Sequence, residues 1–521
     1  MIEKQLPNGW HLTTLGDVCT DPQYGYTTKA SDEGSIQLLR TTDITSGNID
    51  WATVPFCHEN PTDPEKYLLE DGDIVISRAG SVGVSYLLKE PKKAVFASYL
   101  IRFKPLINKK FFKYFLNSPY YWSQISESRL GIAVQNVNAS KLKEIEFSLP
   151  PLKEQKRIVA KIDELFSELD NGIAALKIAR EQLKVYRQAL LKHAFEGKLT
   201  AKWREENADK LETAEQLLIR IQKERNAHYQ QQLEAWKAAV KEWEAKNNIG
   251  KKPSKPKPLK SLGPLPENMI IELPELPSSW YWGRLGNLTT SVEYGTSAKS
   301  SESGLVPVIR MGNLQNGKID WSDLAYTSDK DEIEKYLLTP NDVLFNRTNS
   351  PELVGKTAKY RGEQPALFAG YLIRINQINS IVESDYLNYF LNSHIAKQYG
   401  NTVKTDGVNQ SNINGEKLQN YPFPFCSILE QTKIVEILEE KLSLSESTIQ
   451  DIESQLVKAE TFRQSILKKA FSGNLVPQDP NDEPANNLLD RIKVEKELNK
   501  MPAKKSEPKP NRKKVREVAG N

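Results

Sequence analysis

The sequence predicts an α+β protein with an internal pseudo-two-fold repeat. Two mixed α/β heads are separated by two long antiparallel helices that form a coiled coil. Three observations lead there. The helix ending QALLKHAFEGKL at 188–199 returns as QSILKKAFSGNL at 464–475. A series of shorter matches precedes each ending in the same order. Each copy also closes on a long stretch whose apolar residues keep heptad spacing. A chain of 521 residues is long enough for about two to four domains.

The repeat sets the order of the elements. WHLTTLG (10–16) matches WYWGRLG (280–286), Tyr24-Gly25 matches Tyr294-Gly295, and Arg40 matches Arg310. GNIDW (47–51) matches GKIDW (317–321), and KYLLEDGDIVISR (66–78) matches KYLLTPNDVLFNR (335–347). ASYLIRF (97–103), YFLNS (114–118) and KEQKRIV (153–159) return as AGYLIRI (369–375), YFLNS (389–393) and LEQTKIV (429–435). The offset drifts by single residues, as loop insertions would make it, so one unit of roughly 200 residues is present twice. Within a head, IVISR (74–78) and VFASYLIRF (95–103) read as strands. KKFFKYFLNSPYYWSQI (109–125) reads as helix.

After Pro150-Pro151, apolar residues fall at Ile158, Ile162, Leu165, Leu169, Ile173, Leu176, Leu183 and Leu190. Ile434, Leu438, Leu442, Ile449, Ile452, Leu456 and Ile466 repeat the pattern. Sustained heptads need a partner helix, and the other copy supplies one. A helix from Leu152 to Ala194 would be about 65 Å long. Gly197 and Gly473 stand where a C-cap glycine would end each helix. The expected division is 1–150 and 263–427 for the heads, and 151–200 and 428–476 for the helices. A charged helix with a Lys/Pro linker fills 201–262, and a basic tail fills 477–521.

Composition narrows the function. Hydrophobic residues make up 39% and charged residues 26%, which suits packed cores and solubility. The start MIEKQLPNGW lacks an apolar signal region, and no 18-residue apolar run occurs, so a cytoplasmic protein without a membrane span is expected. Cys19, Cys57 and Cys426 show no Cys-x-x-Cys spacing, which argues against a disulfide framework or a zinc site. The five histidines have no metal-ligand spacing. Net charge is only +4, but basic residues concentrate in KKPSKPKPLK (251–260) and AKKSEPKPNRKKVRE (503–517). Both runs read as solvated, disordered segments or as loose phosphate contacts.

Catalytic motifs are not found. The only Pro-Pro is followed by Leu, so the Asp/Asn-Pro-Pro-aromatic loop of amino-methyltransferases is missing. GNLQNGKI (312–319) approaches a phosphate-binding P-loop but places Ile319 where Ser or Thr must hold magnesium. A turn between two strands accounts for it and for TDITSGNI (42–49) better. Carboxylates are scattered, with no nuclease constellation in both copies.

The motifs LPNGW…LG, SLPPLKEQKRIVAKIDELF (148–166) and KVYRQALLKHAFEGKLTAKWRE (184–205) recur as SILEQTKIVEILEEKL (427–442) and FRQSILKKAFSGNLV (462–476). In this the chain resembles the specificity subunit of type I restriction–modification enzymes over nearly its whole length. The insert at about 206–262 is its least family-like part. The resemblance implies two target recognition domains, each reading one half of a bipartite site in double-stranded DNA. It implies helices that space the heads and dock two methylation subunits, with restriction subunits joining them. It implies no catalysis and no cofactor in this chain. S-adenosylmethionine would belong to the methylation subunit, and ATP and Mg to the restriction subunit. A rival of another class is a coiled-coil adaptor with two protein-binding heads. A fusion of recognition with methylation and a nuclease are the others.

Base readout needs polar side chains on projecting loops. Heads should differ where they read and agree where they fold. Arg78 and Arg347 are shared, so they are expected to anchor phosphate or the fold, while Ser81, Asn349 and Ser350 are candidates for choosing bases. Arg40, Thr41 and Thr42 pair with Arg310 and Asn313 as a second loop set. Tyr24 and Lys29 pair with Tyr294 and Lys299 as a third. Gln135 and Asn136 pair with Lys404, Asn409 and Gln410 as a fourth. The alternative for each is a solvated or fold-supporting loop position.

Overall fold

The computed structural model describes residues 6–129 and 136–500. Gln135 and the basic run 503–517 lie outside them. The chain divides into two compact units, one of residues 1–177 with 453–521 and one of residues 178–452.

In the first unit, four strands pair antiparallel in the order Gln23–Tyr24, Leu100–Phe103, Ile74–Ser77 and Ser85–Leu87. A second sheet runs Ala30–Ser31, Phe56–Cys57, Gln37–Leu39 and Ala94–Phe96, its last pair parallel. The central strand is buried along its whole length because a core lies on each face. Ile74 and Ile76 enter one cluster with Phe103 and Phe111, while Val75 enters another with Phe96 and Leu100. That alternation explains a continuous apolar run in place of an apolar/polar one. His11–Thr14 pairs with Glu146–Leu149, bringing the two ends of the head together.

The second unit repeats this. Its main sheet runs Thr289–Tyr294, Leu372–Gln377, Val343–Asn346 and Thr357–Lys359. Val343 and Phe345 face one core and Leu344 the other. Tyr281–Arg284 pairs with Pro422–Phe425 as the closing ladder. Two segments differ from the expectation. VFASYLIRF is two strands, because the chain turns at Ala97, where the Leu100 N–H donates to the Ala97 carbonyl at 2.8 Å. The stretch 109–125 is two helices, Lys109–Phe115 and Pro119–Arg129, because Pro119 opens a new one.

The two long helices span Leu152–Phe195 and Ile428–Phe471, each crossing from one unit into the other along the chain. Within the first unit, Ile158 and Ile162 share a core with Leu467, Ala470 and Phe471. Arg463 lies over the Phe166 ring at 4.5 Å and donates to Asp170. Within the second unit, Leu190, Ala194 and Phe195 share a core with Ile434, Leu438 and Leu442. Arg187 meets Glu446 at 3.5 Å. The start of each helix therefore meets the end of the other, which is the antiparallel coiled coil expected. Both helices end on a left-handed glycine, Gly197 (φ +69°) and Gly473 (φ +75°). A Cβ there would lie 2.4 Å from Pro277 Cγ or 2.3 Å from Pro7 Cγ, so the glycine serves both the cap and the packing. Each helix start is latched to its own head by a tryptophan: Trp10 Nε1 donates to Glu154 at 3.0 Å and Trp280 Nε1 to Glu430 at 2.9 Å. Burial pushes the Glu154 carboxyl up, and the Trp10 N–H opposes that shift.

The repeat runs further than its obvious motifs, which corrects the expectation of a plain basic tail from 477. Residues Ala485–Lys500 are helical, and Leu488, Leu489 and Ile492 pack in the first unit's core. Their counterparts are Leu217, Leu218 and Ile221 at the start of the helix Ala214–Ala245; Leu217 and Ile221 are buried in the second core. Arg225 donates to the carbonyls of Asn287 (2.9 Å) and Lys260 (2.7 Å), and Lys496 donates to that of Gly16 (2.6 Å). Burial lowers the pKa of both cations. Each head is thus closed by the segment that follows the long helix ending on it. Replacing Leu488 or Ile492 by Ala should lower stability by about 2–5 kcal/mol each, since a buried side chain leaves a cavity. Val494→Ala on the exposed face of the same helix should change it little. Thermal unfolding of the three variants measures the difference.

Candidate nucleic-acid interface

The four loop sets of the first head gather at the turn Ala97–Tyr99. Gly25 sits so close to it that a Cβ would lie 2.2 Å from the Ala97 carbonyl oxygen, so only glycine fits. The Ala97 N–H donates to the Leu39 carbonyl (2.8 Å), next to Arg40. The Arg78 N–H donates to the Tyr99 carbonyl (2.9 Å), and the Val137 N–H to the Arg78 carbonyl (3.1 Å), next to Asn136. The second head repeats each contact. A Cβ on Gly295 would lie 2.2 Å from the Phe368 oxygen. Ala369 donates to Ile309, Arg347 to Tyr371 and Ile413 to Arg347, at 2.9, 3.0 and 2.8 Å.

At the centre of each cluster an arginine stacks on a tyrosine. Arg78 lies 5.0 Å from the Tyr24 ring centroid and Arg347 lies 4.7 Å from that of Tyr294. Each tyrosine is fixed by its hydroxyl, which accepts the Ala139 N–H (2.9 Å) or the Gly415 N–H (2.8 Å). Arg78 Nε donates to Asn136 Oδ1 at 3.2 Å, and Arg347 Nη1 to the Gly370 carbonyl at 3.2 Å. Among the described residues neither arginine pairs with a carboxylate, so each leaves an uncompensated positive charge on the loops. Tyr24 and Tyr294 are 40% and 42% exposed. Tyr99 and Tyr371, beside the arginines in the ladder, are 62% and 52% exposed. These last two were not singled out from the sequence. Their signal in the sequence is a tyrosine at the same place in ASYLIRF and AGYLIRI.

The remaining candidates divide. Arg40 is gripped at both ends by Asp43 (Nη2–Oδ1 2.8 Å, Nε–Oδ2 3.1 Å), which raises its pKa, and Arg310 pairs with Asp323 at 3.1 Å. Their charges are therefore largely compensated. Thr41 and Thr42 begin a one-turn helix, with Thr42 exposed. Asn313 is removed from the candidates. It is 3% exposed, accepts the Arg310 N–H (2.8 Å) and donates to the Asp320 and Asp323 carbonyls (2.9 and 2.7 Å). Its amide has been turned inward to hold the loop. Lys29, Ser81 and Lys299 are exposed.

In the second head, strand Thr348–Asn349 pairs with Ser411–Asn412, which pairs with Thr405–Asp406. Asn349 thus shares one small sheet with the hairpin whose exposed tip carries Asn409 and Gln410, and Ser350 follows it in the chain. Lys404 is drawn back by its bond to the Pro351 carbonyl (3.2 Å) and supports that hairpin. The near P-loop is a hairpin, Leu314–Gln315 against Lys318–Ile319, turning at Asn316-Gly317. TDITSGNI in the first head is instead a short helix and a turn. Among the described residues no group of three His, Cys, Asp or Glu could hold a metal ion.

Two repeated heads, each with an uncompensated arginine among exposed tyrosines and unlike polar loops around it, define a scaffold for reading a polyanion. The family described as "Type I restriction modification DNA specificity domain" matches the chain twice, over residues 7–177 and 277–455. The chain belongs to that family. It is similar to the type I restriction enzyme EcoKI specificity subunit of Escherichia coli K12, 25% identical across 95% of this chain and 97% of that one. It is also similar to the StySPI specificity subunit of Salmonella potsdam, 22% identical across 95% and 97%. A solved HsdS subunit from Thermoanaerobacter tengcongensis shares the fold, with a TM-score of 0.50, 18% identity, and 91% and 99% of the two chains covered. A chain from a solved type I R-M system aligns with a TM-score of 0.60 at 17% identity, over 90% and 100%.

Proposed function

We propose that each head reads one half of an interrupted site in duplex DNA through the loop cluster around its arginine. The chain is the DNA sequence-recognition subunit of a type I restriction–modification system and is not itself an enzyme. The family carries no cofactor of its own. In this reading Arg78 and Arg347 hold phosphate, because they stand alike in both heads. Ser81 in one head and Asn349, Ser350, Asn409 and Gln410 in the other choose bases, because they differ. Two methylation subunits bringing S-adenosylmethionine dock on the long helices. Restriction subunits bringing ATP and Mg complete a cytoplasmic complex. Among the described residues no helix is long and apolar enough to cross a membrane.

The duplicated Arg–Tyr stack carries the reading: the same cation lies over the same tyrosine inside two different sets of polar loops. The test is to co-express the chain with its methylation subunit, shift a randomised duplex pool on a gel and sequence what is bound. Two unlike half-sites separated by unselected positions are expected. A protein-binding adaptor would select no sequence, and a recognition–methylation fusion would transfer methyl groups as an isolated chain.

A further inference from the structure

The helix Ala214–Ala245 outlasts the core it closes. Leu217, Ile221 and Arg225 are its buried residues, all in the first turns. Beyond them an apolar stripe continues at helical spacing through Tyr229, Leu233, Trp236, Val240 and Trp243, all half-buried. What covers the stripe is the segment after Gly250, which has neither helix nor strand. Pro253, Pro256, Leu259 and Leu262 are half-buried at every third position and the residues between them are exposed. A period of three is that of a polyproline II helix.

The two pieces are zipped antiparallel. Trp243 Nε1 donates to the Gly250 carbonyl and Trp236 Nε1 to the Pro253 carbonyl, each at 3.0 Å. Arg225 holds the Lys260 carbonyl at 2.7 Å, and Asn287 exchanges two 2.9 Å bonds with Leu262. Eighteen residues of α-helix from 225 to 243 rise about 27 Å. Ten residues from 250 to 260 at the polyproline II rise would span about 31 Å. The lengths match, so the strap stays in register along the helix.

With its apolar face turned inward, the strap presents Lys251, Lys252, Lys255, Lys257 and Lys260, all exposed. Lys252 and Lys255 lie 5.5 and 5.9 Å from the Trp243 and Trp236 rings. No acidic residue occurs between Glu244 and Glu267. Among the described residues none of the five lysines pairs with a carboxylate. The adjoining helix half is balanced, with Glu234, Glu242 and Glu244 against Lys237, Lys241 and Lys246, so the positive excess belongs to the strap. Lysines three residues apart are about 9 Å apart along such a backbone, and lysine is a point-charge partner for phosphate.

We propose that this lysine strap is a second, sequence-independent binding site for the duplex DNA backbone, separate from the reading loops. It rests on the reading that the chain binds duplex DNA. A flexible run of the same lysines would lose conformational freedom on binding, whereas this one is already ordered by two indoles and an arginine.

The test uses the full chain assembled with its methylation subunit and a duplex lacking the selected sequence. All five lysines are changed to Gln in one variant and to Arg in another. Binding is measured between 50 and 200 mM salt. The Gln variant should bind about 10-fold more weakly or worse, and its log K against log salt slope should flatten by roughly 2 to 4. The Arg variant should match the parent, and the sequence selected from a random pool should be the same in all three. Trp236→Phe with Trp243→Phe keeps the charge but loosens the strap, and should give a smaller loss. An unchanged slope in a Gln variant that still assembles would overturn the proposal. Loss of the methylation subunit with the slope unchanged would also overturn it, and would assign the strap to a protein partner. A parent complex with no salt-dependent duplex binding would instead overturn the underlying DNA reading.

Discussion

Arg78→Ala and Arg347→Ala should each weaken DNA binding by about 10-fold, across all sequences alike. A lost phosphate contact weakens binding about equally on every sequence and removes close to one unit from the salt slope. The expectation rests on charge bookkeeping inside the cluster. Arg40 and Arg310 have carboxylate partners at 2.8 and 3.1 Å, while Arg78 and Arg347 have only neutral acceptors and a ring. A cation without a counter-charge gains most from a phosphate. Arg40→Ala should therefore cost less DNA affinity than Arg78→Ala, although both side chains lie on loops of the same cluster. Tyr24→Leu should reproduce part of the Arg78 loss by removing the ring that orients it, whereas Tyr24→Phe, which keeps the ring, should lose less. Titrations at three salt concentrations, on cognate and scrambled duplexes, measure all of this. Should Arg78→Ala relax a single base position and leave the slope alone, the arginine pairs with guanine and the phosphate role is wrong.

What was legible in the sequence was whatever repeats or has a period. Ile158 to Leu190 and Ile434 to Ile466 keep their heptads because a long seam must stay on one side of a helix, and that constraint is written residue by residue. Gly197 and Gly473 were legible because one backbone conformation demands them. The gathering of the candidate loops was not legible. It depends on strand pairings such as Gln37–Leu39 with Ala94–Phe96, between residues far apart in the chain. Asn313 looked like a loop residue free to read bases, yet an asparagine is equally suited to bond its own backbone, and here it does. Tyr99 and Tyr371 were hidden because their motif reads as one strand, in which a tyrosine is an ordinary core residue. The closing helix 485–500 was hidden because its counterpart keeps little more than two buried aliphatic positions and one cation. The strap is written as prolines and leucines at every third residue from 253 to 262, a period that belongs to neither a strand nor an α-helix.

Removing seven residues from each long helix, 174–180 and 453–459, should shorten the unread gap by about three base pairs or abolish specific binding. The two segments are chosen opposite each other in the antiparallel pairing, between the contacts of Arg463 with Asp170 and of Arg187 with Glu446. Seven residues preserve the heptad phase, so the apolar seam is interrupted in neither helix. Each helix loses about 10 Å, the rise of about three base pairs. The same cut carries a twist mismatch, since three base pairs turn the duplex far more than two helical turns less a fraction turn the protein. That is why loss of binding is an accepted outcome while a looser, unshifted site is not. If the helices set the half-site separation, as half-site spacing follows protein geometry in other paired readers, each half-sequence stays the same and only the number of unselected positions changes. Bind-and-sequence on the assembled complex reads both at once, with thermal unfolding to show that the shortened chain is folded. A folded variant that selects both half-sites at the original separation would sink the idea that helix length measures the gap.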